Sequence, residues 1–158
     1  MFEVPQALDQ KDTSVQAPER TPERSPELSR DVSGSSMKPF PDQGETREIP
    51  LGRLFAARSG DKGGNANLGV WAGTDQAHAF LSHYLTCDCL KTLLPDLEPF
   101  EITRYDLPNL RAVNFYIKGL LGHGVAASMR SDPQAKTLGE YLRAKIIPVP
   151  LSVLEEKA

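Results

Sequence analysis

Twelve consecutive residues near the middle of the chain, 58–69, limit the fold more than any other segment. They contain four glycines among charged and amide side chains, and apolar runs flank them on both sides. Glycine loses much conformational entropy on folding, so it is justified where the backbone needs positive φ or another group approaches it closely. The pattern predicts a loop between two strands, and the first hypothesis is that this loop binds a ligand or partner.

Composition divides the 158 residues into an acidic tail and a folded domain. Residues 1–48 carry ten acidic and six basic residues, a net charge of −4, with six of the thirteen prolines. Such a segment cannot bury enough apolar surface to offset the entropy lost on ordering. We predict a disordered tail over residues 1–48, a folded domain over 49–151 and a flexible C-terminus over 152–158.

Charge and hydropathy exclude two classes of partner. The residues after the tail carry twelve basic and eleven acidic side chains, a net charge of +1, without a Lys/Arg cluster that would neutralise phosphates. No run reaches the ~20 apolar residues of a membrane helix, and the first thirty residues lack the pattern of a signal or transit peptide. We therefore expect a cytoplasmic protein that binds neither nucleic acid nor membrane.

The folded part alternates between strand and helix patterns. A helical unit spans residues 74–94 in two parts that divide near Thr86, and Asp132 before Pro133 marks the start of another helix. Strand patterns cover residues 49–57, 68–72, 100–107, 112–117 and 146–149. The order ββαββαβ predicts an α/β (α+β) fold, a ferredoxin-like two-layer sandwich with a mainly antiparallel sheet, two main helices and one extra strand.

Four motifs in this order resemble the small ferredoxin-fold domain of the acyclic terpene utilisation (AtuA) family. They read ARSGDKGGNANLG at 57–69, YDLPNLRAVNF at 105–115, GLLGHGV at 119–125 and DPQAK at 132–136. The resemblance covers essentially all of residues 49–149. It implies a domain that usually follows a much larger N-terminal domain, although stand-alone copies exist, and a link to terpenoid acyl-CoA breakdown. A larger AtuA-type enzyme domain is therefore an expected partner.

The glycine-rich segment has two interpretations. Backbone amides with Arg58 and Lys62 beside them could form an anion-binding nest, and Asn65 and Asn67 would point to one side of an extended chain. Alternatively, the segment is a hairpin loop in which Asp61 and the two asparagines bond their own backbone. The Gly-Lys-Ser/Thr ending of a phosphate-binding P-loop is absent from the sequence, so nucleotide binding is disfavoured.

Further polar residues lie near the second and third motifs. Asn114 is either a buried strand residue that bonds to the glycine-rich segment or a surface residue. Arg111 could pair with a substrate carboxylate, with Asp106 or with Asp132. The predicted ligand- or partner-binding residues are Arg58, Ser59, Asp61, Lys62, Asn65, Asn67, Asn109, Arg111, Asn114 and Arg130.

Catalytic and metal-binding signals are sparse. His123, between two glycines, could act as a general base, with Lys62 as a second catalytic candidate, but no nucleophile motif accompanies them. His78 and His83 do not have the i, i+4 spacing of a shared metal site on a helix. The two cysteines, Cys-x-Cys at 87–89, lack zinc-site spacing. We expect no metal and no cofactor.

Two classes of function are compatible with these residues. In the first, the domain is a non-catalytic accessory domain that docks on a larger enzyme or forms a homo-oligomer. In the second, it is a small enzyme acting on an acyl-CoA or another carboxylic acid, with Lys62, Arg111, His123 and Arg130 around an anionic substrate. The accessory hypothesis is favoured because the sequence shows no complete nucleophile and base set.

Overall fold

The computed structural model describes residues 30–32, as a backbone strand, and residues 44–155. The strands are β1 (Arg30–Val32), β2 (Thr46–Pro50), β3 (Phe55–Lys62), β4 (Asn65–Ala72), β5 (Ile102–Leu107), β6 (Ala112–Ile117) and β7 (Ile146–Pro150). The helices are α1 (Asp75–Tyr84), α2 (Cys87–Leu93), α3 (Leu138–Arg143) and α4 (Leu151–Glu155). None of these helices is long and apolar enough to cross a membrane.

Two sheets organise the fold. The larger sheet has the order β1-β5-β6-β4-β3, in which β1 runs parallel to β5 and every other neighbouring pair is antiparallel. The smaller sheet pairs β2 with β7 in antiparallel fashion. This mixed α/β, largely antiparallel architecture confirms the predicted ferredoxin-like fold.

One face of the large sheet carries the core. Alternate residues of the central strands point to this face and are fully buried, among them Leu68, Phe115 and Ile117. Helix α1 covers it with Phe80 and Leu81, and α2 and α3 pack alongside. Helices α1 and α2 begin where the sequence predicts, and the Thr74 and Thr86 hydroxyls cap them by accepting backbone amide hydrogen bonds at 3.2 and 3.1 Å.

The glycine-rich segment is a tight hairpin, and the predicted twelve-residue loop is wrong. Strands β3 and β4 stay paired until Lys62 and Asn65, so the turn contains only Gly63 and Gly64. Gly63 has a φ of 65°, as the first residue of a two-residue hairpin turn often requires. The strands extend this far because Ala66 and Leu68 continue the inward alternation of β4. Most amides of the segment therefore belong to strands.

The helix predicted from Asp132 begins six residues later, at Leu138. Ala135 has a φ of 51°, which an α-helix does not accommodate. The Asp132 carboxylate closes the turn before the helix instead, accepting hydrogen bonds from the amides of Lys136 and Thr137 at 3.0 and 2.8 Å and from the Thr137 hydroxyl at 2.7 Å. Asp132 thus caps a loop that leads into α3.

The Asp132 turn predicts a pH-dependent contribution to stability. Partial burial would raise the pKa of Asp132, but hydrogen bonds from Thr137 and Lys136 and the nearby charge of Arg130 hold this pKa below its ordinary value. The carboxylate therefore stabilises the fold above about pH 4 and loses this effect as pH falls through the lowered folded-state pKa. Urea unfolding should show Asp132→Asn less stable than the wild type at pH 7, with the gap narrowing in acid. A gap independent of pH would contradict this account.

The domain boundaries also differ from the sequence-based ones. Strand β1 lies within the predicted tail, and β2 begins at Thr46, before the predicted boundary, because it pairs with β7. At the other end, α4 buries Val153, so the packed chain extends into the predicted flexible C-terminus. The rest of the predicted tail, residues 1–29 and 33–43, and residues 156–158 lie outside the described part.

Candidate functional site

The face of the large sheet opposite the core, called here the open face, has no helix over it in the part of the chain that the structure describes. Strands β5, β6, β4 and β3 contribute side chains to it in register. The three cross-strand rows are Thr103-Tyr116-Asn67-Gly60, Tyr105-Asn114-Gly69-Arg58 and Leu107-Ala112-Trp71-Ala56. The open face is therefore a flat, mixed surface of aromatic, amide and small residues.

Large apolar side chains are exposed on this face. Trp71 is 40% exposed, Tyr105 42% and Leu107 38%, and Leu110, just beyond the sheet, is 67% exposed. Single exposed apolar residues are ordinary, but Trp71, Tyr105 and Leu107 share one face of the sheet. Aromatic residues are enriched at protein interfaces because they combine apolar area with a polar group.

Asparagines hold the hairpin end of the open face together. The Asn65 side chain donates to the Tyr116 hydroxyl at 2.6 Å and accepts from the Gly119 amide at 2.7 Å. Asn67 donates to the side-chain oxygen of Asn114 at 3.5 Å. Asn114 thus bonds to the glycine-rich segment, but from a half-buried position on the open face and not from the core. These bonds run between strands and to the following loop, so they organise the hairpin and its surroundings.

This network predicts a stability effect at Asn65. Asn65→Ala should lower the free energy of unfolding by about 1–2 kcal/mol, because it removes one partly buried and one exposed hydrogen bond. Asn109→Ala, at an exposed position beyond the other end of the sheet, should change it by less than about 0.5 kcal/mol. Equal effects in urea unfolding would show that the Asn65 bonds contribute nothing.

The predicted binding residues do not converge on one pocket. Lys62 and Asn65 lie at the hairpin turn, whereas Arg111 bonds through its carbonyl to the amide of Ala72 at the opposite end of β4. Ala72 lies seven positions after Asn65 along β4, a span of about 20 Å. Asn109 lies at the same distant end as Arg111. A small anion could not contact both ends at once.

Arg111 pairs with a residue that the sequence analysis did not consider. Its Nε lies 2.5 Å from the Asp75 carboxylate, so the suggested ion pairs with Asp106 and Asp132 were wrong. Arg111 directly follows the short turn after β5 and has a φ of 49°. Its side chain lies beside Asp75 at the start of α1. The hydrogen bond from Arg111 lowers the pKa of Asp75. Both side chains are solvent-exposed, so this pair contributes little to stability.

The remaining candidates have separate surroundings. The Ser59 hydroxyl accepts from the Gly139 amide at 2.8 Å and ties β3 to α3, and Lys62 donates to the Asp61 carbonyl at 3.1 Å. His123 is exposed in the loop beside the hairpin turn, Arg58 is exposed on the open face, and Arg130 lines a cavity elsewhere. Of the set proposed for a small enzyme, Lys62 and His123 therefore lie near the hairpin turn, whereas Arg111 lies at the opposite end of β4.

A polar cluster of His78, Ser82 and Asp106 lies beneath α1 and was not predicted from the sequence. The Ser82 hydroxyl lies 3.1 Å from His78 Nε2 and donates to Asp106 at 3.2 Å, and the same His78 nitrogen is 3.5 Å from Asp106. In a catalytic triad the carboxylate holds the other ring nitrogen, so this arrangement is not one. The i, i+4 spacing of His78 and Ser82 and the inward register of Asp106 were the signals that could have revealed it.

Arg104, the neighbouring inward residue of β5, is fully buried. Its guanidinium donates to the carbonyls of Leu85 and Ser82 at 3.1 and 3.0 Å, at the C-terminal end of α1. A cation at this end of a helix also interacts favourably with the helix dipole. Arg104 thus anchors α1 to the sheet. Its position two residues after Ile102 in a strand pattern was the sequence signal that it faces the core.

The surroundings of the two cysteines disfavour thiol chemistry. Cys87 is buried, and burial raises the pKa of the Cys89 thiol, which disfavours the reactive thiolate. Within residues 30–32 and 44–155, no three side chains of His, Cys, Asp or Glu come together in a way that could hold a metal ion.

Comparisons with known proteins agree with the motifs and the fold. No curated protein and no solved structure matches the chain. The AtuA ferredoxin-like domain matches residues 49–148, a range that begins within β2 and ends within β7. The match includes both strands of the glycine-rich hairpin and the whole open face. The chain therefore belongs to the AtuA ferredoxin-like domain family.

Proposed function

We propose that this protein is a non-catalytic accessory domain that binds a protein partner through the open face of its sheet. The observation that carries the proposal is the exposure of Trp71, Tyr105 and Leu107 on a flat face without a covering helix in residues 44–155. Protein interfaces concentrate their binding energy in aromatic residues that a partner desolvates. The surrounding amides supply hydrogen bonds around these apolar contacts.

The distribution of charge favours a large partner over a small anion. Arg58 lies on the open face, with Lys62 at the hairpin end and Arg111 beyond the opposite end. Cations spread over about 20 Å suit polar contacts at the rim of an interface, which influence the association rate and specificity. The alternative hypothesis of an enzyme acting on an acyl-CoA or carboxylic acid needs Lys62, Arg111, His123 and Arg130 around one substrate. The separation of Arg111 from Lys62 counts against it.

The proposed partner is a protein that carries the larger AtuA-type domain. The family resemblance supplies this choice, since the small domain usually follows the large one within a chain. Association would place the protein in acyl-CoA, terpenoid or related carboxylic-acid metabolism in the cytoplasm. The open face would then bind the larger domain of another chain. In proteins that carry both domains, the corresponding contact would form within one chain.

The test is titration calorimetry of the full chain against the purified large partner. Trp71→Ala and Tyr105→Ala should each weaken binding by about tenfold or more, because each removes a central aromatic contact. Tyr141→Ala is the matched control, since Tyr141 is 49% exposed but lies on α3, in the helix layer. Equal weakening by the control, or unchanged binding by both open-face variants, would refute the proposal.

A second copy of the chain is the other candidate occupant of the open face. Sedimentation of the protein alone separates the two cases. Self-association that Trp71→Ala abolishes would identify a homo-oligomer, whereas a monomer that binds the large protein supports the accessory role. The Tyr141→Ala control applies equally here.

A further inference from the structure

A cavity on the helix side of the domain is separate from the open face. Its volume is about 150 Å³, and it lies between the end of α2 and the loop that leads into α3. Buried apolar side chains contribute to its wall, namely Leu94, Leu97, Leu120 and Ala135. An enclosed apolar cavity of about this volume holds a benzene-sized molecule, so the space here suffices for a side chain of about six carbon atoms.

The wall of this cavity is built by an ordered loop. Ala135 adopts a left-handed backbone conformation with a φ of 51°, which is strained for a residue with a side chain. The three hydrogen bonds accepted by Asp132 hold the loop in this shape, at 3.0, 2.8 and 2.7 Å. Although Asp132 also lines the cavity, its oxygens are therefore already engaged within the loop.

One further residue of each charge lines the cavity, Arg130 and Asp96. Among the residues that the structure describes, neither side chain forms an ion pair, and both residues are exposed. A guanidinium binds a carboxylate through parallel hydrogen bonds, and a carboxylate accepts hydrogen bonds from an ammonium group. An apolar wall with one cation and one anion matches a molecule that has both charges at one end and an apolar group at the other.

We propose that this cavity binds a free α-amino acid with a large apolar side chain. The side chain would occupy the apolar part of the cavity, Arg130 would bind the α-carboxylate and Asp96 would bind the α-ammonium group. This role is independent of partner binding by the open face, because no open-face residue lines the cavity.

The experiment is an NMR titration of the full chain with L-phenylalanine and two analogues that each lack one charge. L-Phenylalanine should bind about tenfold or more tightly than 3-phenylpropanoate, which lacks the ammonium group, and 2-phenylethylamine, which lacks the carboxylate. The amide signals of Leu97, Ala135 and Thr137 should shift on binding. L-Alanine, with no large apolar group, should bind much more weakly.

Two variants assign the charges to their residues. Arg130→Gln should weaken L-phenylalanine binding by about tenfold while leaving 2-phenylethylamine binding unchanged, because the amine has no carboxylate to lose. Asp96→Asn should weaken L-phenylalanine while leaving 3-phenylpropanoate unchanged. Unchanged melting temperatures would confirm that both variants fold. Absence of L-phenylalanine binding at millimolar concentration, or equal affinity for all three phenyl compounds, would overturn the proposal.

Discussion

Replacing Gly64 with alanine is expected to destabilise the domain by about 3 kcal/mol or more. A side-chain carbon built at Gly64 would overlap the backbone carbonyl oxygen of Gly122, which cannot move aside as a flexible side chain could. The Gly64 carbonyl also accepts a hydrogen bond from the Leu121 amide at 2.9 Å. Relieving the overlap would separate the hairpin from this loop. Thermal unfolding should show a fall in Tm of about 10 °C or more.

Gly63→Ala is the matched control within the same turn. A side-chain carbon there would meet no atom within 4 Å, and the only penalty is the positive φ of 65°. Such a conformation costs about 1–2 kcal/mol for a residue other than glycine. The test is therefore whether Gly64→Ala loses more stability than Gly63→Ala. If Gly64→Ala were no worse than Gly63→Ala, close approach to Gly122 would not be the reason for this glycine.

Arg104→Met is expected to lower the free energy of unfolding by about 2–4 kcal/mol. Methionine retains much of the side-chain volume but leaves the Ser82 and Leu85 carbonyls without these donors in a buried place. Each unsatisfied buried acceptor costs about 1–3 kcal/mol, and the favourable charge at the end of α1 is lost as well. Removing a buried charge recovers some desolvation energy, which limits the total loss.

Arg58→Met provides the comparison for Arg104. Arg58 is exposed on the open face, so its replacement should change stability by less than about 0.5 kcal/mol. Hydrogen exchange should also show α1 opening more readily in Arg104→Met than in Arg58→Met, because Arg104 bonds to the C-terminal end of this helix and Arg58 lies on the opposite face of the sheet. Similar exchange in both variants would show that Arg104 does not anchor α1.

The sequence predicted those elements whose signals are local. The two parts of the predicted helical unit begin directly after Thr74 and Thr86, as expected, and each hydroxyl caps its helix. Alternation in β6 correctly placed Phe115 and Ile117 together on one face. Both patterns depend only on neighbouring residues of one helix or strand. The rest of the fold therefore does not alter the structure that they predict.

The failed predictions concern residues whose role depends on distant parts of the chain. Glycine is required at position 64 because the Gly122 carbonyl, far away in sequence, approaches it closely. The composition of the glycine-rich segment alone suggested an open loop. Asp132 is an exception, because its partners Lys136 and Thr137 are local, and its pattern before Pro133 does not distinguish this turn from a helix start. Arg104 would ordinarily be assigned to the surface, and only the position of α1 accounts for its burial.

The same limitation applies to the candidate site. Sequence motifs identified Arg58, Asn67 and Asn114, which share the open face, without showing that Trp71 and Tyr105 lie beside them. The register between four strands establishes this arrangement. It changes the interpretation of the glycine-rich segment from an anion-binding loop to a hairpin that forms one side of the proposed protein-binding surface.

Side-chain oxidation footprinting tests the proposed function most directly, because hydroxyl radicals label exposed Trp and Tyr residues. The full chain would be labelled alone and in the presence of the large AtuA-type protein. Our proposal predicts that binding protects Trp71 and Tyr105 and leaves Tyr141 as reactive as before. Protection of Tyr141 with Trp71 and Tyr105 unchanged would contradict it and place the partner on the helix layer.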